Sequence, residues 1–451
     1  MNIIIVGCGR VGQTLAEKLN LDGNDVTVVD LDGEKVASVT NRFDVMGVVG
    51  NGATRAVQQE AGIEDADLFI AVTNSDELNL LCCMIAKKVS GCHAIARIKN
   101  PEYSDETAYL QDELGLAMVI NPEYAAAKEI ARVLHFPSAL AIEPFAGGRV
   151  ELIKFRLQKD CHLVGSSIKD AMAKLRVNVL ICTIERGEQS YIAGGDFVFA
   201  ERDVVSIIAT PKKAKDFFAK INQKGQTIKD VMVVGGGAIA HYLCDILEPS
   251  GISVKIIEKE LKKCEEIASR WNKTTVIHGD AIERELLVEE GVSKTDAFVA
   301  LANLDVENIM LSLFAKEAGA GKLVTKISHI DYDDVISRMD LDTVICPKNI
   351  TADLILRYVR SLKNTQSSNI ETLYNIIQDE VEAAEFIVKD GSPVIGVPLC
   401  DLPLKKEVLI ASILRDNQVI LPRGGDTIAA GDRVVVVTKG QIFDVADVLE
   451  K

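Results

Sequence analysis

Two glycine-rich stretches, IVGCGRVGQTL at residues 5–15 and VVGGGAIAHYL at residues 233–243, have the residue types and spacing that cradle a phosphate. In the first, Gly7-Cys8-Gly9-Arg10-Val11-Gly12 follows a β-branched run and opens a helical stretch. The first glycine of such a turn allows the tight reversal, the second lets backbone approach the phosphates, and the third lets helix pack on strand. Asp30 ends the run DVTVVD, 18 residues past Gly12, where a carboxylate can accept hydrogen bonds from ribose hydroxyls. An acid there repels a 2′-phosphate and no arginine follows it closely, so NAD(H) or an adenine nucleotide is favoured over NADP(H). The second stretch keeps the plan: Gly235 and Gly237 stand for the first two glycines, Ala240 for the third, and Glu258 for Asp30.

Ligands of parallel sheets sit beyond the carboxyl ends of the strands. Thr73 and Asn74 follow the apolar run LFIAV, and Arg97 lies near the end of AIARI; Asn303 and Lys326 occupy the matching places in the second copy. Arg97 could meet phosphate with its planar fork or form an ion pair with a neighbouring module's carboxylate. Asp76 and Glu77 suit the first turn of a helix, where the dipole favours acids. The two candidate sites are not equivalent, because Ala238 and Lys326 replace Arg10 and Arg97. Lysine is a point charge where arginine is a bidentate fork, so the first site is expected to bind diphosphates more tightly.

No catalytic constellation accompanies these loops. The histidines at 93, 135, 162, 241, 278 and 329 do not recur in register between the copies. The tight group Cys82, Cys83, Cys92 and His93 suits packing better than one tetrahedral ion, since adjacent helical residues point about 100° apart. A dehydrogenase needs an acid or base beside the nicotinamide, usually in a second domain of substantial size. The nucleotide therefore reads as a signal rather than a reagent; the alternative is an NAD-dependent oxidoreductase acting on a small substrate.

The elements that must hold these residues come in duplicate. A constant offset of 228 sets Gly7 on Gly235, Gly9 on Gly237 and Asp30 on Glu258, and a one-residue insertion then pairs DLFIAVTNSDELN (67–79) with DAFVALANLDVEN (296–308). Each copy alternates β-branched runs with helical stretches, which predicts a doubly wound parallel sheet. After each comes a shorter block, ELIKFRLQKD onward and AEFIVKD onward, expected to be a small α+β module with a helix and several hairpins. The fold class is thus α/β: two Rossmann-like domains at 1–122 and 228–348, each followed by a small α+β domain, at 141–225 and 371–451. The connecting segments are expected around 123–140, at QKGQT (223–227) and at LKNTQSSNIET (362–372). A module of about 80 residues has little core of its own, which predicts an obligate assembly.

Composition narrows the partners. The 451-residue chain carries a formal charge of −16, which argues against nucleic acid and against direct attachment to anionic lipid. No apolar run is long enough to cross a bilayer, and MNIIIVG, with no basic n-region and no small-residue cleavage site, does not read as a signal peptide, so a cytosolic protein is expected.

The layout resembles the TrkA family, cytosolic regulatory subunits of bacterial Trk potassium transporters that carry two regulator-of-potassium-conductance (RCK) domains. The resemblance rests on MNIIIVGCGRVGQTLAEKL, GNGATRAVQQEAGIEDADLFIAVTNSDELN, VMVVGGGAIA, HGDAIERELLVEEGV and AFVALANLDVENIMLSLFAKE, and on the GGD motif closing each small module. It implies NAD(H), with ATP or ADP as alternative regulatory ligands. It places nucleotide contacts on Gly7, Cys8, Gly9, Arg10, Val11, Asp30, Thr73, Asn74 and Arg97, then on Gly235, Gly236, Gly237, Ala238, Ile239, Glu258 and Asn303. It further implies a membrane-embedded Trk-type potassium transporter subunit as partner, peripheral attachment at the cytoplasmic face, and a homotetramer.

Overall fold

The computed structural model describes the chain except residues 101–102, 104–106, 188, 223–227, 329–338, 340, 365–369, 378–379, 417, 441, 443 and 451. The expected connector at 223–227, the middle of that at 362–372 and His329 lie outside the described residues.

Strands follow in the order β1 (Asn2–Val6), β2 (Asp25–Asp30), β3 (Met46–Val49), β4 (Leu68–Ala71), β5 (His93–Arg97) and β6 (Met118–Ile120), then β7 (Ala141–Phe145), β8 (Val150–Arg156), β9 (Leu180–Arg186), β10 (Gln189–Ile192) and β11 (Val204–Ala209). The second half repeats this with β12 (Asp230–Val234), β13 (Ser253–Glu258), β14 (Thr275–His278), β15 (Ala297–Ala300), β16 (Lys322–Lys326) and β17 (Thr343–Ile345), then β18 (Ile370–Ile377), β19 (Val381–Ile387), β20 (Val408–Arg415), β21 (Gln418–Ile420) and β22 (Arg433–Lys439). The chain divides into two compact units, one of residues 1–131 and 228–356, the other of 132–227 and 357–451.

The first unit holds both parallel sheets, ordered β3-β2-β1-β4-β5-β6 and β14-β13-β12-β15-β16-β17. This is the doubly wound order, reversing between the first and fourth strands of each sheet, where ligand crevices form. The central strands are apolar on both faces because helices cover both; Ile3, Ile4, Ile5 and Val6 are all buried. The last strand of each sheet, three residues long, was not marked in the sequence: MVI and TVI are too short to show a period. Cys82, Cys83 and Cys92 pack in the core beside β4 and β5.

The second unit holds two antiparallel five-stranded sheets, ordered β10-β9-β11-β8-β7 and β18-β19-β22-β20-β21. One face of the first sheet is covered by its own helices Ile168–Leu175 and Pro211–Lys220, around Phe155, Phe199, Phe217 and Phe218. The second module has a single 3-10 turn, Val445–Val448, in their stead among the described residues. Pro398 and Pro403 in VPLCDLPLKK break the helix expected there. The remaining faces meet: Phe145, Val150, Leu152 and Ile208 share one apolar core with Val381, Ala383, Val435 and Val437. Each small module thus has an apolar core on one face, and its other face is covered by the second module of the same chain. Each module also repeats one clamp built on a buried aspartate. Asp203 accepts Arg186 Nε and the Ala200 amide at 2.8 and 2.7 Å, and Asp432 accepts Arg415 Nε and the Ala429 amide at 2.8 and 2.7 Å.

Candidate functional site

Each glycine loop leaves the central strand of its sheet and turns into a helix, Arg10–Leu21 or Ala238–Leu247. Gly7 and Gly235 sit at φ +109° and +100°, and a Cβ on either would meet a backbone carbonyl, of Val72 or Leu301, at 2.9 Å. Only glycine fits that turn. At Gly12 a Cβ would lie 1.8 Å from the Gly7 carbonyl oxygen, so helix and loop touch there. Gly9 and Gly237 differ, for a Cβ on either meets nothing within 4 Å. They are the N-caps of the two helices, with no side-chain cap and no acid in the first turn. A helix N-terminus without a side-chain cap, its dipole and open space in front of it are what an anionic phosphate requires.

The acids at the ends of β2 and β13 brace the loops. Asp30 accepts the Cys8 amide at 2.6 Å and the Asp32 amide at 3.0 Å. Glu258 accepts the Gly236 amide at 2.6 Å and the Glu260 amide at 2.9 Å. Asp30 is half-buried, whereas Glu258 is buried, its extra methylene folded under the loop. A carboxylate has about four acceptor positions, so both acids can hold the loop and still accept from a ribose. Burial pushes the Cys8 thiol up to about 12, with the Asp30 charge adding to the rise. Cys8 is thus an uncharged filler beneath the loop.

Opposite each loop, beyond β4 and β15, Thr73 and Asn74 or Ala302 and Asn303 face the crevice; both asparagines are exposed. Two residues that the sequence did not single out fix these loops. Asn79 accepts the Thr73 amide at 2.8 Å and donates to the Arg97 carbonyl at 2.9 Å; Asn308 accepts the Ala302 amide at 2.7 Å and donates to the Lys326 carbonyl at 3.0 Å. Their recurrence at the same register of both copies was the available signal. Asp76 also does more than favour a helix dipole, since its Oδ2 accepts the Lys99 and Asn100 amides at 3.0 and 2.9 Å.

Arg97 and Lys326 are engaged within the protein. Arg97 Nη2 pairs with Glu123 at 2.9 Å, the ion-pair alternative, although Glu123 opens the helix Pro122–His135 that follows β6. Lys326 Nζ donates to the Leu301 carbonyl at 3.3 Å. Burial lowers its pKa, with Arg10 nearby lowering it further and Asp305 and Glu123 opposing. Arg10 is exposed at the first helical position, while Val11 is half-buried and Ile239 buried. Around the second loop, Gly235, Gly237, Glu258, Asp280, Ala302 and Asn303 help to line a cavity of about 190 Å³.

Gln13 Nε2 donates to the Cys8 carbonyl at 3.0 Å, and the matching position holds His241, whose ring packs edge-on against Trp271 with centroids 5.0 Å apart. Burial lowers the His241 pKa, Arg270 adding to the effect.

The TrkA-N domain family matches residues 3–122 and 231–347, and the TrkA-C domain family matches 152–222 and 383–447. The chain is 33% identical over 440 residues to the Trk system potassium uptake protein TrkA homolog of Archaeoglobus fulgidus, covering 97% of each chain. It is 32% identical over 450 residues to the Trk system potassium uptake protein TrkA of Halomonas elongata, covering 99% of this chain and 98% of that protein. Its fold resembles that of the GsuK channel bound to NAD, with a TM-score of 0.64 at 15% identity, over 97% of this chain and 76% of that one.

Proposed function

The chain belongs to the TrkA family of Trk potassium uptake proteins, and on that premise we propose that it is a regulatory subunit whose two glycine loops sense NAD(H), ATP or ADP and set the conductance of a membrane-embedded potassium transporter subunit. The observation that carries this reading is the pair of uncapped helix N-termini facing open space at Gly9 and Gly237, each with a ribose-competent acid at the end of the adjacent strand. The residues fit a dinucleotide. Backbone amides of residues 9–12 and 237–240 would meet phosphate, Asp30 and Glu258 the ribose, and Thr73, Asn74 and Asn303 the far wall of the crevice. Arg10 gives the first site a cation that Ala238 cannot, so diphosphates bind there more tightly. Arg97 and Lys326 act as struts.

Among the described residues no helix is long and apolar enough to cross a membrane. The chain docks on its partner's cytoplasmic face as a homotetramer, and contacts protein rather than lipid or nucleic acid, in keeping with its charge of −16. A ligand gates only by binding two conformations unequally, and 1–3 kcal/mol per site is a typical coupling. The experiment is calorimetry with NADH, together with its absorbance in the presence of small carbonyl substrates. Two binding events per chain without oxidation are expected; NADH turnover would instead make the chain an oxidoreductase.

A further inference from the structure

The helix Ala238–Leu247, which grows from the second glycine loop, carries a residue without counterpart in the first. Tyr242 is buried, and its hydroxyl donates to the Lys99 carbonyl at 3.2 Å while accepting from Asn121 Nδ2 at 2.9 Å. Its ring meets that of Tyr124 edge-on, with centroids 5.3 Å apart. Lys99 and Asn121 follow β5 and β6 of the first parallel sheet, so this contact joins the two nucleotide domains within their shared unit. The Lys99 amide donates to Asp76 Oδ2 at 3.0 Å, and Asp76 begins the helix that follows Thr73 and Asn74. Two hydrogen bonds, joined by short stretches of backbone, thus link the crevice loop of the first site, through Asp76, Lys99 and Tyr242, to the helix whose N-terminus is the phosphate cradle of the second. The matching residue in the first helix is Thr14, too short to reach across. That helix is tied instead by Lys18 to Asp353 at 2.6 Å.

We propose that Tyr242 couples the two nucleotide sites, so that a ligand held at one changes the affinity of the other. The proposal rests on the nucleotide-binding reading of both loops. Ligand contacts to the Thr73–Asn74 loop shift the start of the Asp76 helix, and with it the Lys99 backbone. A buried hydroxyl with two partners cannot follow that shift freely, so the Ala238 helix must move or lose a bond. Coupling of this kind is reciprocal, and about fivefold or more in affinity is typical.

The test is calorimetric titration with NADH of the full-length wild type, Tyr242→Phe and Asn121→Ala, with Gly9→Asp and Gly237→Asp as references that each keep one site. Tyr242→Phe keeps the ring on Tyr124 and deletes both hydrogen bonds, and Asn121→Ala removes one of them while leaving the tyrosine untouched. In the wild type, the second NADH is expected to bind with an affinity about fivefold or more away from that of the same site in its single-site reference. In Tyr242→Phe both sites should fall within about twofold of their references, and Asn121→Ala should reduce the departure in the same direction. A wild-type departure that survives in Tyr242→Phe, or a wild type whose two sites already match their references, overturns the coupling and leaves the two sites standing. NADH binding to none of the proteins would overturn the nucleotide reading and this proposal with it.

Discussion

Gly9 and Gly237 are the residues where a side chain would do most harm to binding and least to folding. Aspartate is a good N-cap and has room at both, so Gly9→Asp and Gly237→Asp should fold with equal or higher stability. Their carboxylates would occupy the phosphate's place and repel it, and calorimetry should show each variant losing one of two NADH events. Gly12→Ala is the contrasting case. Its methyl would clash with the Gly7 carbonyl, and a loss of at least 1–3 kcal/mol in urea unfolding is expected from overpacking. The glycines and Asp30 were legible because their spacing is local. That Asp30 and Glu258 brace the loops from beneath was not, because an acid's partner 22 residues away leaves no mark in the sequence.

At the scale of elements, the loops beyond β4 and β15 depend on buried asparagines that sequence patterning passed over as polar helix residues. Asn79→Ala would leave the Thr73 amide and the Arg97 carbonyl without this partner, at a cost of about 1–3 kcal/mol, measurable by urea denaturation, with weaker NADH binding at the first site. The helix Ala238–Leu247 carries a pH-dependent term through His241, which packs on Trp271 at 5.0 Å and is surrounded by Arg270, Glu266 and Asp245. Because burial depresses its folded pKa, the unfolded chain takes up a proton first as pH falls below the usual histidine value of about 6.5. Stability is then lost as pH drops toward the folded pKa, while above about pH 7 both states are neutral and the term vanishes. His241→Gln, which copies Gln13, should match the wild type's pH dependence of Tm above pH 7 and decline less between pH 7 and 5. Parallel melting curves across that range would show that the imidazole contributes no such term.

For the whole molecule, the duplication was the most legible feature, since four modules in fixed register leave many coincidences at one offset. The pairing of the two antiparallel sheets was not legible, because alternation along a strand marks a buried face without saying which sheet covers it. That pairing changes the argument for assembly: the small modules cover each other's apolar faces within one chain, so their folding does not by itself call for an oligomer. What remains is whether nucleotide in these loops alters potassium movement. Rubidium uptake can be measured in vesicles holding the membrane-embedded Trk-type subunit, with and without this chain and with NADH, ATP or ADP at the cytoplasmic face. Nucleotide should change the flux only when the chain is present, and the double variant Gly9→Asp/Gly237→Asp should bind the membrane subunit yet leave the flux indifferent to nucleotide. A flux that nucleotide leaves unchanged with the wild-type chain, or a response that persists in the double variant, would contradict it.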